Sequence, residues 1–185
     1  QKNPRIFFAN KEIKSPKDMV GMKYRIPNLP IFEKNARAMG ATPVVVAWSE
    51  YPFALMQGVV DGGECSKDSY RSAGLYESAK YGADVDYAYP VEQICFSTQF
   101  WNSLSEEDQK VISDAAAQVA SHHSERTLDK WEEDKEWLIN EGGVTFCDID
   151  RQAFIDAAEP LGKELQDEGF FTTKDLYDQT RQFNK

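Results

Sequence analysis

From Ser105 the chain reads SEEDQKVISDAAAQVASHHSERTLDKWEEDKEWLINEGG, and no other stretch constrains the fold as tightly. Ser105 is placed to cap a helix whose first turn carries Glu106, Glu107 and Asp108, acids suited to the positive end of the helix dipole. Gly142 is placed to end it. Val111, Ile112, Ala115, Val119 and His122, then Leu128, Trp131 and Leu138, recur at helical spacing with a slip in phase near His123. A continuous helix of roughly 37 residues is about 55 Å long, more than a small domain is wide. Such a helix is expected to bridge two lobes, with any bend close to the slip.

The ninety or so residues near the start alternate short β-like runs with helical ones. RIFFA (5–9) reads as a strand, and a short helix follows Ser15 with Pro16 in its first turn and Gly21 at its end. KYRIP (23–27) is a strand stopped by Pro27, PIFEKNARAM (30–39) a helix closed by Gly40, and TPVVVAW (42–48) a strand with the apolar look of a buried one. SEYPFALMQG (49–58) reads as a helix capped at Gly58, VVDGG (59–63) as a short strand entering a turn, and SKDSYRSAGLYESAKY (66–81) as a further helix. This alternation predicts an α/β fold with parallel strand pairing. Beyond the long helix, GVTFCDI (143–149) reads as a strand, followed by a helix from Arg151 to Gly162 or beyond and a last one after Thr172.

Composition narrows the function. The 185 residues carry a formal net charge of −10, which argues against nucleic acid and anionic membrane surfaces as partners. No run approaches the roughly 18 apolar residues of a membrane span. The opening QKNPRIFF has neither an initiator methionine nor the layout of a signal peptide, so a removed leader or a start inside a longer protein is expected. Cys65, Cys95 and Cys147 allow at most one internal bridge.

Few residues offer chemistry. Arg25 lies in a strand just ahead of a helix, where the carboxyl ends of parallel strands make ligand crevices. Its guanidinium could fork onto a carboxylate, or pair with one of the chain's 31 acids at the surface. Arg5 carries the same ambiguity. Trp48 could be a ligand platform, although core packing is the default for a tryptophan. His122 and His123 are adjacent and point about 100° apart on a helix, and no HExxH or CxxC spacing occurs, so neither a metal nor a cofactor is expected. Cys65, in GVVDGGECSKDSY (58–70), could be a thiolate nucleophile at a strand-to-helix turn, but both histidines that could serve as its base lie in the distant long helix.

Taken together, IKSPKDMVGMKYRIPN, MGATPVVVAWSEYPFALMQGVVDGGEC, LYESAKY and FWNSLSEEDQKVISDAA resemble the dicarboxylate-type solute-binding proteins of tripartite ATP-independent periplasmic (TRAP) transporters. Order and spacing fit over residues 5–120. The resemblance implies a periplasmic binding protein type II-like two-lobed fold, with 1–90 as the carboxylate-binding α/β lobe. Residues 91–141 would return to the other lobe and form the bridging helix, and 142–185 would add a C-terminal strand and helices. A lobe-forming segment is expected ahead of residue 5. It implies a non-enzymatic periplasmic receptor that captures a small organic acid and delivers it to TRAP membrane subunits. A sensor subunit with the same ligand class, or a thiol enzyme using Cys65 on a related fold, are the competing readings. Arg25 matches the family's carboxylate-forking arginine, Arg5 a supporting arginine, Glu64 the acid that orients it, and Trp48 an aromatic position lining the pocket. Cys65 falls where the family has asparagine, a direct ligand contact. With the glycines turning the chain tightly, Glu64 and Cys65 are expected to face the cleft. A thiol in place of an amide is expected to favour a monocarboxylate with an apolar or aromatic substituent, or a small 2-oxo or 2-hydroxy acid, over a sugar acid.

Overall fold

The computed structural model describes residues 4–183, apart from the side chain of residue 128. Its elements in chain order are β1 (Arg5–Ala9), α1 (Pro16–Met19), β2 (Lys23–Ile26), α2 (Pro30–Ala38), β3 (Thr42–Val45), α3 (Tyr51–Met56) and β4 (Gly62–Ser66), then α4 (Lys67–Ser72), β5 (Tyr81–Ala88), α5 (Thr98–Ser103), α6 (Glu106–Asn140), β6 (Thr145–Phe146), α7 (Arg151–Asp167) and α8 (Leu176–Arg181). Prolines and glycines set the early boundaries as expected. Pro16 and Pro30 stand at helix starts, where a missing N–H costs nothing, and Gly21, Gly40 and Gly58 adopt positive φ where helices end.

One sheet organises the molecule, in the order β3-β2-β4-β1-β5-β6. β2 pairs in parallel with β3 and β4, as the alternation predicts, and β5 pairs in parallel with β6. β1 departs from it: inserted between β4 and β5, it runs antiparallel to both. Five strands therefore end on one edge of the sheet, and β1 begins there. Side chains alternate between faces. Ile6, Phe8 and Cys65 join Tyr51, Tyr70 and Leu138 in one apolar layer. Phe7, Tyr24, Ile26 and Val85 join Met19, Met39 and Phe154 in the other.

Three expectations are corrected. The TPVVV run is not buried as a whole: β3 is an edge strand and Val45 is 57% exposed, although Val46 just after it is in the core, because an apolar run says nothing of a strand's place in the sheet. The strand expected over 59–63 starts later, so GGECS is itself the buried strand β4 rather than a turn. Its glycines serve close packing instead. A Cβ at Gly62 would lie 2.2 Å from the Phe8 carbonyl oxygen, and one at Gly63 2.0 Å from the Tyr51 hydroxyl. The helix expected over 66–81 stops at Ser72, since Gly74 turns with φ +66° into a 3-10 turn, Leu75–Glu77. β5 then follows, marked by the alternation of Tyr81, Ala83, Val85 and Tyr87 with Gly82, Asp84 and Asp86.

The long helix is continuous, as expected. α6 runs unbroken from Glu106 to Asn140 through the phase slip, with Ser105 Oγ accepting from the Asp108 N–H at 3.1 Å. The side chain of Leu128 lies outside the described residues. Only the second half of α6 docks on the sheet layers: Leu138 is fully buried, Arg71 reaches Asp134 at 2.8 Å, and Lys135 reaches Asp84 at 2.7 Å. Lys67 bonds the same Asp84 and lies 4.2 Å from the Trp131 ring, so the helix is seated by paired charge as much as by apolar contact. In the first half Val111 and Val119 stay exposed. Among the described residues no helix is long and apolar enough to cross a membrane.

Candidate ligand site

The carboxyl edge of the parallel strands gathers the residues of interest, with Arg5 joining them because β1 starts where its neighbours end. Arg25 lies near the end of β2 and only 4% of its surface is exposed. Its Nε donates to the Val46 carbonyl at 2.9 Å. Its guanidinium carbon sits 4.9 Å from the Tyr51 ring centroid and 5.5 Å from that of Trp48, a cation facing two aromatic rings. Burial pulls its pKa below the ordinary guanidinium value, with Tyr51 and Glu64 acting the other way. An arginine nonetheless keeps its charge in a protein. Among the described residues no carboxylate pairs with it, and its two terminal nitrogens have no partner. The surface ion pair weighed for Arg25 from sequence is therefore absent from its surroundings.

Arg5 is different. Its Nε and Nη2 fork onto the two oxygens of Glu64, the second bond at 2.7 Å, and the Tyr87 hydroxyl donates to the same carboxylate at 2.8 Å. Glu64 is 1% exposed. Burial works against charge on Arg5, but the bonds and charge of Glu64 outweigh it and hold the guanidinium above its usual value. The neighbour that the resemblance assigns to Arg5 is thus in place. Tyr87 was not singled out from sequence, although the alternation along 81–87 carries its signal.

Strand parity divides this set. Arg25 and Cys65 project to the layer holding Tyr51, whereas Arg5, Glu64 and Tyr87 project to the layer holding Phe7 and Tyr24. No hydrogen bond or ion pair among the described residues joins the two groups. A ligand touching both must lie over the sheet edge.

Trp48 opens the 3-10 turn after β3 and is 43% exposed, set edge-on to Tyr51 at 5.8 Å. The core-packing default does not apply to it, because it follows an edge strand and keeps much of its ring exposed. Cys65 departs from expectation in the other direction. It is 1% exposed, with its side chain in the apolar layer rather than presented by a turn. Burial, with the negative charge of Glu64 beside it, pushes the thiol well above its ordinary pKa. That removes the thiolate a nucleophile needs. Brief treatment of the folded protein with iodoacetamide is expected to alkylate exposed Cys95 and spare Cys65, read by peptide mass spectrometry. Rapid labelling of Cys65 would show that the layer opens.

His122 and His123 are exposed on α6, with His123 Nε2 3.6 Å from Glu92. Among the described residues, no three His, Cys, Asp or Glu side chains gather as metal ligands do.

Comparison with known proteins places the chain in a family. Residues 2–168 match the family DctP, bacterial extracellular solute-binding protein, family 7. The chain is 34% identical over 158 residues to solute-binding protein RD1_1052 of Roseobacter denitrificans, covering 85% of this chain and 48% of the relative. The chain thus spans about half the length of that relative. A crystal structure of the Roseobacter denitrificans TRAP periplasmic solute-binding protein with bound L-galactonate superposes with a TM-score of 0.84 at 29% identity, over 100% of this chain and 59% of that one. A TRAP periplasmic solute-binding protein from Ochrobacterium anthropi with bound L-fuconate gives 0.83 at 32%, over 96% and 57%. On its motifs, its sheet and these matches, the chain belongs to the family 7 solute-binding proteins of TRAP transporters.

Proposed function

We propose that this chain supplies the carboxylate-holding lobe of a periplasmic receptor that captures a small organic acid through Arg25 and passes it to TRAP membrane subunits. The observation that carries this reading is the Arg25 guanidinium, nearly enclosed, held by Val46 and two rings, and left without a carboxylate. A planar fork with free terminal nitrogens suits two parallel bonds to one ligand carboxylate. The named ligands of the two solved relatives, L-galactonate and L-fuconate, are both carboxylates. Arg5, braced by Glu64, supports the site from the opposite face. α6 is the bridge, its first half free for a second lobe and its second half seated on this one. The thiol-enzyme reading has no support left: Cys65 is enclosed, its thiol is held neutral, and no histidine is near it.

Cys65 is enclosed beneath the Arg25 face and bears on ligand preference by the polar group it does not offer there. An asparagine there would offer two donors and an acceptor, where a thiol offers one weak donor and a small apolar surface. A ligand hydroxyl left unpaired at this wall costs about 1–3 kcal/mol. With the Trp48 face alongside, a monocarboxylate bearing an apolar or aromatic substituent is favoured over a sugar acid. The test is a thermal-shift screen of the full-length protein against an organic-acid library that includes L-galactonate and L-fuconate, on wild type and on Cys65→Asn. The expected result is a larger shift with apolar monocarboxylates in wild type and a ranking that moves toward sugar acids in the variant. Wild-type preference for a sugar acid, or an unchanged ranking, overturns the role of Cys65. No shift with any acid overturns the carboxylate reading.

A further inference from the structure

Tyr51 opens α3 and is the largest side chain under the site, with none of its surface exposed. Its ring touches three things. Phe8 lies 5.8 Å away in the apolar layer, Trp48 lies 5.8 Å away edge-on, and the Arg25 guanidinium carbon lies 4.9 Å from its centroid. Its hydroxyl is buried and has no hydrogen-bond partner among the described residues. The hydroxyl occupies the space a side chain would take at residue 63, since a Cβ on Gly63 would fall 2.0 Å from that oxygen and 3.0 Å from the ring carbon bearing it.

We propose that Tyr51 is the positioning residue for Arg25, its ring stabilising the guanidinium and fixing its direction before a ligand arrives, and that Gly63 is bare so that the ring can reach that place. The inference rests on the reading of Arg25 as the carboxylate anchor. A nearly enclosed cation with no carboxylate needs some compensation, and a desolvated aromatic face supplies it. The Nε bond to Val46 fixes one edge of the guanidinium, and the ring fixes its plane. Together they leave the two terminal nitrogens aimed outward as a pre-formed fork, which lowers the ordering cost of binding. The hydroxyl plays no part in this. An orphan buried hydroxyl is a liability, so phenylalanine in its place is expected to be at least as stable.

The experiment uses the full-length receptor and three probe acids, L-galactonate, succinate and 4-methyl-2-oxopentanoate. Affinity is read by titration calorimetry, and stability by thermal unfolding. For the acid that binds best, Tyr51→Phe is expected to keep wild-type affinity and a melting temperature equal to or above wild type. Tyr51→Leu is expected to weaken binding roughly 10- to 30-fold. Gly63→Ala should weaken binding similarly by displacing the ring, and the double variant Gly63→Ala with Tyr51→Phe should regain part of it, because removing the hydroxyl relieves the nearest clash. The Arg25 Nε–H resonance, protected by Val46 in wild type, should exchange faster with water in Tyr51→Leu and not in Tyr51→Phe. A merely structural role for Tyr51 would move the melting temperature without moving that resonance. If Tyr51→Leu binds like wild type while Arg25→Ala does not bind, the positioning role is overturned and the anchor stands. If Arg25→Ala also binds like wild type, or no probe acid binds, the anchor reading itself is overturned.

Discussion

Replacing Arg25 with alanine is expected to cost the full-length receptor about 2–5 kcal/mol of ligand affinity, roughly 30- to several-thousand-fold. The ligand carboxylate would enter a site from which its charged partner has gone, and Lys67, Arg71 and Lys135, which pack on the same layer, are already paired with Asp84 and Asp134. Lysine should restore only part, since an ammonium is a point charge and cannot reproduce two parallel bonds. The same substitution is expected to cost less stability than breaking a buried ion pair would, because the lost Val46 bond and ring contacts are partly offset by removal of a desolvated charge. Among the described residues no carboxylate pairs with Arg25, so its removal breaks no ion pair. Titration calorimetry alongside thermal unfolding checks both halves. Wild-type affinity in Arg25→Ala sinks the anchor assignment.

Arg5→Met is expected to behave in the opposite way, with a stability loss of about 3–5 kcal/mol in urea unfolding. Glu64 is 1% exposed and Arg5 is its only cationic partner among the described residues. Removing the arginine strands a carboxylate in a layer of aromatic side chains with a single hydroxyl, that of Tyr87, to bond it. The asymmetry of the pair sharpens the test. Arg5 keeps 24% of its side chain at the surface, so Glu64→Leu leaves a cation that can turn to water and should cost less. Arg5→Met with Glu64→Leu should recover most of the loss, because a pair replaced by apolar groups of similar size leaves nothing uncompensated. A single variant as stable as wild type would show that the pair contributes nothing.

Much of the fold is legible in local chemistry. Pro16, Pro27, Pro30 and Gly40 bracket the early elements within a residue or two because their effect acts on the backbone at that spot. The long helix is legible for the same reason, its cap and its period both lying within it. What escapes is whatever depends on a distant neighbour. Gly62 and Gly63 have the local signature of a turn, and only the approach of Phe8 and Tyr51 makes them strand residues. β3 looks buried until the sheet order puts it on the outside. β5 carries a visible alternation, yet the expected helix over 66–81 runs to its first residue and no strand is read after it. The candidate site shows the same limit. Arg5 and Arg25 are indistinguishable as isolated arginines. Which one owns a carboxylate follows from strand parity and from the reversed direction of β1, and neither can be read from the residues alone.

The unpartnered state of Arg25 also bears on how a lineage of such receptors drifts. Folding holds Arg5 in place, because losing it strands Glu64; only a bound acid holds Arg25. A descendant that no longer meets its substrate keeps selection on Arg5 and loses it on Arg25. Arg25 should therefore be the first of the two to decay, and a diverged copy of this chain with Arg5 and Glu64 intact but another residue at 25 has kept its scaffold while abandoning the acid.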